Sequence, residues 1–91
     1  MIEITGIVCR PPAGREIGRR GYLRAMVELS PWWLGDEEHY EILLVHMDMD
    51  WDLAGAWIET DVGQRVRAIA ERIEIGADGN PDAPCTSIEW A

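Results

Sequence analysis

Nine carboxylates stand between Ser30 and Val62 (Asp36, Glu37, Glu38, Glu41, Asp48, Asp50, Asp52, Glu59 and Asp61), with no Lys or Arg among them and four of the chain's five tryptophans beside them. An anionic surface set with large amphipathic rings suits docking to a cationic protein or a metal ion. It opposes close approach to phosphates, because like charges repel and must be desolvated together. The residues that would anchor a basic protein partner are Trp32, Trp33, Asp36, Glu37, Glu38 and Trp51. Tryptophan is a favoured interface anchor, and a negative surface steers association with a positive one.

A second grouping has the opposite chemistry. Arg15, Arg19, Arg20 and Arg24 could contact phosphates, with Tyr22, Trp32, Trp33 and Trp51 as platforms for bases. Each stacked base contributes roughly 1–3 kcal/mol to single-strand binding. Residues 1–30 carry five Arg against three Glu, so this part alone is mildly positive. The whole chain has 17 acids to 8 bases and a net charge of −9. Binding driven by counterion release is therefore expected to be weak at cellular salt. The ordinary alternative is that the tryptophans close the ends of a small core and the arginines pair with surface carboxylates.

Metal and catalytic chemistry have less to build on. His46, Asp48 and Asp50 alternate and would share one face of a strand, so they could converge on a transition metal. Asp48, Asp50, Asp52 and Glu59 echo a calcium-loop register, but Leu53 stands where the sharp turn needs glycine. A solvated acidic strand end accounts for the same residues, so neither metal nor cofactor is expected. No Ser/His/Asp or Cys/His spacing and no phosphate-cradling glycine loop is present, which argues against an enzyme. Cys9 and Cys85 lack metal-ligand spacing and read as two reduced, buried thiols, with a disulfide between terminal strands as the alternative.

A chain of 91 residues with 47% hydrophobic content is expected to form one domain, residues 1–91, around a modest core. It has no run of about 20 apolar residues able to span a bilayer and no N-terminal processing pattern, so a cytoplasmic address is expected. Alternation at Ile2, Ile4, Gly6 and Val8 gives a first strand, ended by Pro11-Pro12. Residues 13–21, with three glycines and three arginines, read as a mobile basic connection. Leu23, Ala25, Val27 and Leu29 form one face of a second strand over 22–30, closed by Pro31. Trp32, Trp33 and Asp36-Glu37-Glu38 then fall in a loop, and 39–47 forms a third strand covered on both faces.

Trp51, Ala54, Trp57 and Ile58 lie on one helical stripe, which predicts a short helix within 50–60. The next stretch is two-sided. Val66, Ile69, Ala70 and Ile73 fit an amphipathic helix over about 62–75, which would make the fold α+β. A strand with Val66, Ala68 and Ala70 inward fits too, if a one-residue bulge then turns Ile73 and Ile75 inward. Residues 76–84 read as a loop and 85–90 as a last strand.

The order strand, strand, strand, short helix, strand, strand resembles the OB-fold, a five-stranded Greek-key barrel. Ile4-Thr5-Gly6-Ile7-Val8-Cys9-Arg10-Pro11-Pro12 and the alternating Tyr22–Leu29 resemble the primosomal protein PriB and bacterial single-stranded-DNA-binding proteins. Trp51 through Leu53-Ala54 to Gly63-Gln64-Arg65-Val66 resembles the latter as well. Pro11-Pro12, Met26-Val27-Glu28-Leu29 and Val62–Ala68 are similar to the OB half of DUF35 proteins, whose zinc ribbon this chain lacks.

These likenesses imply an all-β barrel with one short helix, and they tip residues 64–75 toward the fourth strand. The acidic load then points to a non-enzymatic OB module that engages a basic protein, as a nucleic-acid mimic, an inhibitor or an accessory subunit. The resemblance also implies two alternatives. One is single-stranded-DNA binding through Arg15, Arg19, Arg20, Tyr22, Arg24 and Trp51, and the other is support of an acyl-CoA enzyme. Exposed barrel edges could pair two copies into a homodimer.

Overall fold

The computed structural model describes residues 1–91. Its elements are β1 (Ile2–Val8), β2 (Ala13–Glu16), β3 (Tyr22–Leu34), β4 (Glu37–His39), β5 (Leu43–Asp50), α1 (Trp51–Ile58), β6 (Arg65–Ala70), β7 (Glu74–Ile75) and β8 (Pro81–Trp90). Strands β1, β6, β8, β5 and β3 follow one another around the sheet, and β3 pairs back onto β1, which closes the barrel. β5 and β8 run parallel while the other pairs are antiparallel. This is the five-stranded OB barrel, with β2 and β4 added to β3 and β7 added to β8. No helix is long and apolar enough to cross a membrane.

Closure follows from the inward residues. Leu23, Ala25, Val27 and Leu29 of β3 meet Leu43, Val45 and Met49 of β5, Ile4 and Val8 of β1, and Val66, Ala68 and Ala70 of β6. Small interiors mix large and small side chains to fit the taper. Four alanines, at 25, 68, 70 and 83, let the opposed strands approach. Gly6 serves the same end: a Cβ there would sit 2.9 Å from Leu29 Cβ, closer than packed carbons come. Helix α1 seals one end with Ala54 and Trp57, and Asp50 caps it by accepting from the Leu53 N–H at 2.9 Å.

Residues 65–70 are strand, not helix. Val66, Ala68 and Ala70 point inward while β6 is laddered on both sides, to β1 and to β8, and two ladders outweigh a helical period. A register shift follows at Ile69/Ala70. Beyond it Ile73 packs on the core as expected, but Ile75 is 71% exposed because β7 pairs only with the start of β8.

Other boundaries also differ from expectation. Residues 13–16 are a strand rather than a loose connection, and β8 begins at Pro81. Pro31 does not end β3. It lies between the ladder to β5, which stops at Leu29, and the ladder to β4, which starts at Trp32. A residue without an N–H is tolerated there. The third strand runs Leu43–Asp50, since His39 belongs to the β3–β4 hairpin.

Cys9 and Cys85 are free and half-buried. Burial, above all, pushes the Cys85 thiol up to about 11. At pH 8 only about 0.1% of such a thiol is thiolate, against about a quarter for an ordinary one. Native Cys85 should therefore react with iodoacetamide roughly 200-fold more slowly than the unfolded chain, with the deficit shrinking as pH rises toward 11. Equal rates at pH 8 would contradict its placement.

Candidate functional site

The basic residues gather at one end of β3. Glycines at 18 and 21, with φ of 73° and 79°, turn the chain between β2 and β3, a conformation that costs other residues and suits a tight tip. β2 then lies along β3 with Arg15 opposite Arg24 and Glu16 opposite Leu23. The start of α1 is tied to the same tip, because the Trp51 N–H donates to the Gly21 carbonyl at 3.1 Å. Arg19, Arg20, Tyr22 and Trp51, with Glu16, line an open hollow of about 380 Å³. Trp51 is 50% exposed and Tyr22 36%.

Charge in this hollow is available rather than spent. Arg10, Arg24, Arg67 and Arg72 each lie within 4 Å of a carboxylate, whereas Arg15, Arg19, Arg20 and Arg65 do not. Three of the four free cations thus sit on one hairpin. The Arg19 guanidinium covers the Tyr22 ring at 4.3 Å, a cation–π contact that leaves its charge unneutralised. Arg24 differs, since its Nε donates to Asp48 Oδ1 at 2.7 Å. That hydrogen bond holds Asp48 below its ordinary value, so the pair persists at neutral pH and opens only in acid.

The acidic, tryptophan-bearing set does not form one surface. Trp33, Asp36, Glu37 and Glu38 belong to the β3–β4 hairpin, at the opposite end of the 13-residue strand β3 from Trp51. Trp32 is 3% exposed, stacks on His39 with centroids 4.2 Å apart, and donates its indole N–H to the Glu41 carbonyl at 2.8 Å. It is a core residue and presents no face to a partner. Much of the remainder is turned inward on itself. The Trp33 N–H donates to Glu38 Oε2 at 3.2 Å, Arg65 lies over the Trp33 ring at 5.5 Å, and His39 sits 3.0 Å from Glu37 and 3.4 Å from Glu41.

The three metal candidates are likewise committed elsewhere. His46 Nε2 lies 2.6 Å from Asp82 Oδ1, Asp48 holds Arg24, and Asp50 caps α1. No three metal-ligating side chains converge anywhere in the chain.

Barrel order and closure define an OB-fold domain with a cationic, aromatic hairpin at one end. Among solved structures the chain is similar to a small single-stranded DNA-binding protein from Streptomyces coelicolor, with a TM-score of 0.65 over 99% of this chain and 90% of that one. The two are 17% identical, a likeness of fold. No protein-family model and no curated protein sequence matches the chain.

Proposed function

We propose that this OB domain binds single-stranded DNA at the β2–β3 hairpin. The carrying observation is that Arg19 and Arg20, neither within 4 Å of a carboxylate, line the hollow beside the half-exposed ring of Trp51, with the equally unpaired Arg15 next along β2, opposite Arg24. In this reading the three arginines take phosphates, Trp51 stacks a base, and Tyr22 props Arg19. Arg24 contributes little while Asp48 holds it. The fold likeness to a single-stranded DNA-binding protein supports the reading. The divided acidic set offers a basic protein partner less contiguous surface than the sequence suggested.

Tryptophan fluorescence during titration with oligo-dT tests it. Stacking on Trp51 should quench emission, and three phosphate contacts predict affinity falling about twentyfold between 50 and 200 mM salt. Trp51→Phe should remove most of the quench, because Trp33 lies at the far end of β3 and Trp32 is buried. Absence of quenching at both salt concentrations would eliminate the proposal.

A further inference from the structure

Beyond the hairpin, the outer face of β3 and β5 is closed to a polyanion by the protein's own carboxylates. Its charged outward residues are Arg24 and Glu28 on β3 and His46 and Asp48 on β5, with the apolar Met26 and Leu44 between them. Arg24 is held by Asp48 at 2.7 Å, Arg10 reaches Glu28 at 3.5 Å, and His46 faces Asp82 at 2.6 Å. A phosphate entering this face would have to displace an existing partner. At Arg15, Arg19 and Arg20 it needs only to release counterions. A hollow of about 500 Å³ between Pro11, Met26 and Leu44 continues the surface, but its one cation is Arg10, already beside Glu28.

We infer that the hairpin takes a short single-stranded segment of about four nucleotides, which then leaves the barrel instead of tracking across β3 and β5. The inference rests on the function proposed above. It places the site at the short end of the roughly 4–16 nucleotides that one OB barrel holds. It also makes Asp48 the residue that sets the limit, by withholding Arg24.

Titrations with dT4, dT8 and dT16 at 50 mM salt test this, each affinity being divided by the number of four-nucleotide registers the oligomer offers. The per-register affinity should stay constant within about twofold, with a salt slope of about −2. Asp48→Asn, which breaks an exposed pair of small worth to stability, should free Arg24. It should raise the per-register affinity for dT8 about eightfold and steepen the slope by about 0.7. Per-register affinity climbing about tenfold from dT4 to dT16, or no gain from Asp48→Asn, would overturn the inference alone. Failure to bind at any length would overturn the parent reading with it.

Discussion

Replacing Arg19 and Arg20 together with alanine should weaken oligo-dT binding about sixtyfold at 50 mM salt and flatten the salt slope from about −2 to about −0.7. Each free arginine that meets a phosphate releases about 0.7 counterion from a single strand, and two of three such contacts would be lost. Both residues are exposed at the hairpin tip, so the fold should be untouched and the far-ultraviolet spectrum unchanged. Arg65→Ala is the single-charge control. It removes the fourth free arginine, at the Trp33 end of β3, and should leave both affinity and slope as they were. An Arg65→Ala loss of about eightfold, half that of the double variant on a logarithmic scale, would mean that net charge, rather than the hairpin, governs binding.

The largest effect on stability is expected at the plug of the barrel. Trp57 is 1% exposed and stacks on Trp90 with centroids 4.2 Å apart, so truncation would leave a cavity where α1 closes the end. Trp57→Ala should cost about 3–5 kcal/mol, a large share of the 5–15 kcal/mol typical of a folded domain, and lower Tm by about 20 °C. The indole N–H of Trp57 is buried without a hydrogen-bond partner. Because an unsatisfied donor carries a desolvation penalty of about 1–3 kcal/mol, Trp57→Phe should recover much of the loss. Thermal unfolding of the two variants checks the order. Phenylalanine proving as damaging as alanine would show that packing of the larger ring, not the orphaned donor, decides.

Much of the barrel is legible in the residues. Alternation from Leu23 to Leu29 names the inward face of β3, the apolar spacing of Trp51, Ala54, Trp57 and Ile58 names α1, and Val66, Ala68 and Ala70 name the inward face of β6 once a strand is assumed. The arginines of the hairpin could also be singled out. Their freedom from carboxylates could not, because pairing depends on which strands become neighbours.

The misses have specific causes. β2 is four residues, all exposed, and so carries no hydrophobic period. Trp32 reads as a surface anchor, with a core role only as the alternative, because a bulge intervenes. On β1 two steps separate Gly6 from Val8, while on β3 three steps separate their partners Trp32 and Leu29. The extra residue shifts the inward parity from odd to even positions, burying Trp32 and turning Trp33 outward. The cation-free, acid-rich stretch was a fact of linear order. The fold places Asp36–Glu38 beside one end of the long strand β3 and Asp50–Asp52 beside the other.

Backbone and indole chemical-shift mapping during an oligo-dT titration tests the central claim most directly, because it locates the contact without altering the protein. Binding at the hairpin predicts the largest shifts at the amides of residues 15–22 and at the Trp51 indole N–H, with Trp33 and residues 36–38 unmoved. Shifts centred on Trp33 and the β3–β4 hairpin, or none above background, would contradict it.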